Sequence, residues 1–444
     1  MAKYILLAIV IVISTLSFSQ TPRILSQREQ AKVMDALLDE RLHTILPKLM
    51  RREGIDLWVV MSREYNEDPI IKTMLPATWM SARRTTMLVI FDRGTDKEME
   101  YIAVSKYDVG SVFKRAWDPE HQPDQWLQLA KIIDERNQKK IGINKAEYYG
   151  HADGLTANDY EKFLKVVNKK FHSQIVSAEK LAVGWLETRS EKEMVIYQQI
   201  CRIAHEIIQE GFSDQVIQPG VTTLEDVVWW YRERIKELKL DTWFHPSVSV
   251  QRSEPDAIFT KRLIPIVILP GDLLHVDFGI TYLRLNTDTQ QHAYILKPLE
   301  ADAPDYLKKA FAQGNKLQDI LTQNFDVGKT GNKILEESRS QAIHQGLTPS
   351  IYTHPIGYHG HAAGSTIGMW DAQNGVPFTG EYPMNYNTAY SIELNVTVYI
   401  KEWKKEIQIK LEEDGFFDEA NGFHYIDGRQ TELILIPKPS SINK

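Results

Sequence analysis

The chain has one cysteine, Cys201, in 444 residues. A single cysteine excludes an intrachain disulfide, so stability must come from packing. Cys201 falls in a stretch of helical spacing, residues 194–210, and reads as a packed thiol rather than a nucleophile. Positive charge is also scarce: Lys and Arg number 52 against 59 Asp and Glu, a formal charge of −7. That excludes the basic footprint of a nucleic-acid partner. The apolar run at 4–13 is short of the ~20 residues a membrane span needs, so no stable membrane anchor is expected. Internal repeats, low-complexity runs and long linkers are missing, which argues against a repeat architecture.

What is present begins with a leader. Lys3, the apolar run and the small residues Ser17 and Ser19 have the layout of a cleavable signal peptide, with cleavage expected before Gln20. Residues 1–19 are set aside on that reading, and a periplasmic or secreted destination is expected. The remainder is long enough for two or three domains. Residues 20–180 alternate helix and strand and predict an α/β domain. Its predicted elements are a helix at 28–52 kinked at Pro47, strands at 55–61, 85–91, 99–105 and 140–144, and helices at 125–136 and 156–167. His121 and His151 stand alone there and read as surface or satisfied histidines. The boundary falls between 175 and 188 and is placed at 180/181. Residues 181–444 form the second domain. Ser190 and Glu193 make a capping box, and Thr222 and Glu225 read as a second one. Helices are predicted at 304–324 and 330–345, and strand dominates the end of the chain.

Residues 274–288 read as two strands joined by a short turn, each carrying a carboxylate, Asp277 and Asp288. Asp is depleted in strands, and two buried carboxylates on neighbouring strands repel one another. A metal ion resolves both problems. The bland alternative has one Asp capping a turn or pairing with Arg284. Downstream, His354, His359 and His361 crowd into eight residues beside Gly357 and Gly360. Glu393 interrupts an apolar strand pattern, and Glu412 ends another, although Glu412, Glu413 and Asp414 could be a solvated turn. Four carboxylates and one imidazole suit two divalent first-row ions, Mn²⁺ first, with Co²⁺, Fe²⁺ or Zn²⁺ also accommodated.

In these motifs the chain resembles the pita-bread metallopeptidases, the superfamily of Xaa-Pro aminopeptidase, prolidase, methionine aminopeptidase and creatinase. The matching features are two Asp eleven apart, an H-x-x-G-x-x-x-H run at His354, Gly357 and His361, the Ser391-Ile392-Glu393 strand, and Lys410-Leu411-Glu412-Glu413. The resemblance implies a creatinase-type N-terminal α/β domain followed by a pita-bread catalytic domain, α/β (α+β) overall. It implies Asp277, Asp288, His354, Glu393 and Glu412 as ligands of two divalent ions. His361 and Glu393 are the implied catalytic residues, with Glu393 carrying the proton. The implied activity is hydrolysis of N-terminal peptide bonds, Xaa-Pro bonds foremost, by a metal-bridged hydroxide. It further implies a peptide substrate and self-association into a homo-oligomer. His359 competes with His354 as ligand, but only His354 starts the run.

Three departures stand out. The peptidases carry a further histidine about seventeen residues before the first Asp, where this chain has Phe259-Thr260-Lys261. Ala362 replaces an acidic residue after His361. The segment between His361 and Glu393 is longer than usual and is expected to form a lid or reshape the pocket. The departures keep open a non-peptide C–N hydrolase on the same scaffold, or a catalytically silent metal-binding homologue.

Overall fold

The computed structural model describes residues 24–253 and 265–438. The expected signal segment and the position near Thr260 lie outside the described residues.

The first half is built on a six-stranded mixed sheet. Its central strand, Leu57–Arg63, pairs antiparallel with Thr85–Phe91 and parallel with Ile141–Ile143. Six of its seven residues are buried because both faces are covered. Trp58 and Val60 join a core with the helices Gln27–Thr44, Leu46–Glu53 and Glu179–Glu187. Leu57, Val59 and Met61 point the other way, against Gln125–Asp134 and Ala157–Val166. The expected kink near Pro47 is present, with Ile45 between the two helices keeping right-handed helical angles and donating to Arg41 O at 3.0 Å. The chain ends one helix at Thr44 and starts the next at Leu46, with Pro47 at a first-turn position where its missing N–H costs nothing.

The helix Glu191–Gly211 opens with the expected box, Ser190 Oγ accepting from Glu193 N–H at 3.1 Å and Glu193 from Ser190 N–H at 2.8 Å. The second box is shifted by one residue. Thr223 and Asp226 form it, ahead of the helix Leu224–Glu237, while Thr222 Oγ1 accepts from Gln218 N–H instead. Both spacings place a hydroxyl three residues before a carboxylate, so sequence alone could not separate them.

In the second half, Ser247–Gln251, Leu273–Phe278, Thr289–Ile295 and Ile434–Ile436 form one sheet. Leu274, Val276 and Phe278 face the helices Glu191–Gly211 and Leu224–Glu237. The two-residue period of a strand therefore turns His275 and Asp277 to the opposite face. The ladder sets Gln290 opposite Asp277 and His292 opposite His275. A three-stranded sheet, Pro349–Ile351, Leu394–Ile400 and Lys405–Leu411, packs on the helices Asp305–Gln323 and Gly331–His344. The chain then crosses into a further sheet that includes Thr388–Ser391 and Asp414–Asp418. Both crossings fall at glutamates, Glu393 and Glu412, between the pairs Leu394–Leu411 and Ser391–Asp414.

The long segment after His361 is a brace. Arg339 donates to Gln373 O at 2.6 Å, and Asn332 exchanges bonds with Val376 O and N at 3.0 and 2.6 Å. Phe378 stacks on Tyr148 of the first half at 4.3 Å. Tyr149 donates to Gly364 O at 2.8 Å, and Tyr382 donates to the buried Glu187 at 2.9 Å. A segment tied to two helices and to the first half in this way is not free to act as a lid.

Burial pushes the Glu187 carboxyl up to about 7, against the pull of Tyr382 and Arg52. A carboxyl raised above its unfolded value keeps its proton longer in the folded protein. Stability is therefore lost as pH rises through about 4.5 to 7. Glu187→Gln is expected to remove that loss, gaining about 3 kcal/mol on wild type at pH 8 relative to pH 4. Urea denaturation at both pH values measures it, and equal pH dependence in both proteins would contradict the assignment.

Candidate metal centre

Asp277 lies on the strand Leu273–Phe278, while Asp288, expected on a strand, stands just ahead of Thr289–Ile295. The hairpin between them turns through Leu283 and Arg284 at positive φ, 53° and 68°, joining the short strands Thr281–Tyr282 and Leu285–Asn286. Arg284 is directed away, donating to Leu75 O at 2.9 Å. The bland pairing of Arg284 with one of the aspartates is thus not what forms.

His354 pairs with Ser391 at the head of its strand. Its Nε2 lies 3.8 Å from both Asp288 Oδ2 and Glu412 Oε1. Three groupings have ligand atoms within 4.8 Å of one another: Asp277 with Asp288 and Glu412, His354 with Glu393 and Glu412, and Asp288 with His354 and His361. They bring together all five residues expected as ligands, with His361 beside them. His359 is in none of these groupings. Its ring packs on His151 at 4.6 Å, and burial holds it down to about 4.

The electrostatics fit a cation. Burial pushes Asp277 up to about 6 and Glu393 up to about 8. Burial and then repulsion from neighbouring carboxylates also raise Asp288 and Glu412 well above the usual carboxylate range. His354 Nδ1 faces Pro355 O at 3.0 Å and must donate to it, leaving Nε2 with its lone pair toward the carboxylates. Burial holds the ring neutral, with a pKa of about 3. His354 Nε2 and Asp288 Oδ1 are both buried with no hydrogen-bond partner. Both atoms lie among the five converging residues, where a cation would satisfy them. Hard oxygen donors and one imidazole make a set that divalent ions take readily.

The histidine run is shaped by what it passes between. A Cβ on Gly357 would sit 3.1 Å from the Arg189 guanidinium, and one on Gly360 would meet the Trp243 indole at 2.2 Å. Beneath the run, Arg41 and Arg189 both bond the buried Glu193, at 2.6 and 3.2 Å. Tyr358 lies over the two guanidiniums. His361 sits at the open side, 3.4 Å from Tyr352 Oη, with Trp243 against its ring.

Sequence reasoning took His151 as a surface or satisfied histidine and did not foresee its contact with His359. His151 comes from the first half, 208 positions before His359, and no local pattern could announce that contact. Sequence reasoning also missed Gln290, which bonds Glu393 and Glu412 at 2.9 and 2.6 Å. Its signal was available: a polar residue on the same strand face as Asp288, two positions on. His245, the nearest upstream histidine, accepts from Arg232 at 2.6 Å. Cys201 is a packed thiol as expected, buried and donating to Asp414 at 3.5 Å.

Residues 196–416 match the model of Metallopeptidase family M24. Among solved structures, an X-Pro aminopeptidase from Thermotoga maritima MSB8 superposes with a TM-score of 0.60 at 16% identity, over 87% of this chain and 99% of that one. An Xaa-Pro dipeptidase from Bacillus anthracis gives 0.55 at 16%, over 92% and 100%. The prolidase from Pyrococcus horikoshii OT3 gives 0.54 at 14%, over 91% and 100%. At such identities these likenesses establish the fold. A search of curated proteins by sequence finds no match. With the family model and the shared fold in agreement, the chain is a member of Metallopeptidase family M24, the pita-bread metallopeptidases.

Proposed function

We propose that this chain is an exported dimetal peptidase that hydrolyses N-terminal peptide bonds, Xaa-Pro bonds foremost. The observation that carries the reading is the convergence of Asp277, Asp288, His354, Glu393 and Glu412 around two unpartnered buried atoms. These five residues would hold the ions, and the oxygen-rich set favours Mn²⁺, with Co²⁺, Fe²⁺ or Zn²⁺ as alternatives. When bound, two divalent ions supply Lewis-acid polarisation of a carbonyl and lower the pKa of water. Glu393 lies at the edge of the cluster and is partly accessible, placed to carry a proton toward the leaving nitrogen. His361, exposed beside the cluster, would donate to the substrate carbonyl as negative charge develops. A cleavable leader at 1–19, a periplasmic or secreted location and self-association into a homo-oligomer are parts of the proposal.

A second reading, hydrolysis of a non-peptide C–N bond, draws on the changed surroundings: Ala362 after His361, and His151 brought against His359. A panel separates the two. Metal-free protein reloaded with Mn²⁺ is expected to cleave a Xaa-Pro dipeptide or a Xaa-Pro tripeptide. Cleavage of simple amides with both peptides untouched would favour the second reading. Tight Mn²⁺ binding with no turnover on any member would favour a silent homologue.

A further inference from the structure

Gln290 is a neutral side chain placed among four carboxylates. It is buried, two residues beyond Asp288 and opposite Asp277 in the ladder. Its Nε2 donates to Glu393 Oε1 at 2.9 Å and to Glu412 Oε2 at 2.6 Å. Its Oε1 faces His275 Nε2 at 2.8 Å. A carboxamide oxygen only accepts, so His275 donates here, and this bond decides which end of the amide meets the glutamates. His275 Nδ1 is then left to accept from Ser249 Oγ at 3.3 Å. The backbone fixes the same spot, since Gln290 N–H donates to Glu412 O at 3.0 Å and Glu412 N–H returns to Gln290 O at 3.3 Å. Ser391 Oγ donates to the other Glu412 oxygen at 2.5 Å. Glu412 is thereby held at both oxygens by neutral donors, and Glu393 at one.

We infer that Gln290, aimed by His275, is a positioning residue of the metal centre, setting the spacing and orientation of Glu393 and Glu412 with one carboxamide. The inference rests on the metal-site reading above. The chemistry explains the residue type. An amide offers two N–H groups and no charge, so it orders two carboxylates without competing with a cation for them. A lysine or arginine there would neutralise the pair. An aliphatic residue would leave the two carboxylates free to splay apart.

Calorimetric titration of the metal-free protein with Mn²⁺ tests this, with wild type, Gln290→Ala and His275→Phe side by side and melting temperatures recorded before and after metal. Gln290→Ala is expected to bind Mn²⁺ roughly 10- to 100-fold more weakly, the usual effect of losing a side chain that orients metal ligands. His275→Phe keeps an aromatic ring beside His292 and is expected to show a smaller loss in the same direction. The rise in melting temperature on adding Mn²⁺ should shrink in both variants. A purely structural role would lower the metal-free melting temperature and leave affinity alone. Gln290→Ala binding within twofold of wild type overturns the inference. Should that variant not fold, unchanged affinity in His275→Phe overturns it. A wild type that binds no Mn²⁺ overturns the metal-site reading and the inference with it.

Discussion

Asp288→Ala is expected to abolish hydrolysis of every substrate the wild type cleaves, by roughly a thousandfold or more, the scale of losing a principal electrostatic group. Asp288 belongs to two of the three close groupings of ligand atoms. Its Oδ2 lies 3.8 Å from His354 Nε2, and its Oδ1 has no partner within the protein. Asp277, Glu393 and Glu412 are already committed to the same cluster. The backbone should survive the change, since Asp288 N–H is held by Asp414 at 3.3 Å. The metal-free variant should even gain stability. A buried carboxylate repelled by Asp277 and Glu393 costs free energy that alanine does not. Initial rates after Mn²⁺ reloading, beside melting temperatures of the metal-free proteins, measure both effects. A variant within tenfold of wild-type rate would remove Asp288 from the centre.

The second large effect is on stability and pH. The carboxyls of the cluster sit above their unfolded values, Asp277 at about 6 and Glu393 at about 8, with Asp288 and Glu412 well above theirs. Their titration belongs to the cluster as a whole. Between the unfolded and folded values the folded protein holds protons that the unfolded chain has released. The metal-free protein should therefore lose stability steadily as pH rises from about 4 to 8. Divalent ions bind the deprotonated cluster and reverse the loss. At about 100 times the dissociation constant, each ion adds about 3 kcal/mol. Mn²⁺ should raise the melting temperature by roughly 5 °C or more at pH 8, and by much less at pH 5, where protons compete. Thermal melts with and without Mn²⁺ at the two pH values decide it. An equal increment at both would contradict a cluster of raised carboxyls as the binding site.

Much of this was legible in the chain because the signals were local. The apolar run Leu57 to Met61 read as a buried strand, predicted at 55–61, and the strand that forms is Leu57–Arg63, covered on both faces. Ser190 and Glu193 announced the helix they cap. Asp277 and Glu393 were conspicuous because carboxylates in apolar strands need a cation or a proton. The choice between Thr222 and Thr223 as cap was not legible, since both spacings fit and tertiary context decided. What His151 contacts was not legible either, for a different reason. Its partner His359 is brought to it by the packing of the two halves, through Tyr149 on Gly364 and Tyr148 on Phe378. The segment after His361 read as a lid or a reshaped pocket, because length alone says nothing of what binds it. Its bonds to Arg339 and Asn332 of one helix and to Glu187 of another come from elements distant in sequence. Gln290 lay in plain view beside Asp288. A glutamine is unremarked until two carboxylates from distant strands are found on either side of it.

The measurement that bears most directly on the central claim is the number of Mn²⁺ ions bound per chain by metal-free wild type and by Asp288→Ala, taken from one calorimetric titration each. Two ions per chain in the wild type, falling to one or none in the variant, is the predicted result. No binding by the wild type, or two ions in both proteins, would contradict it.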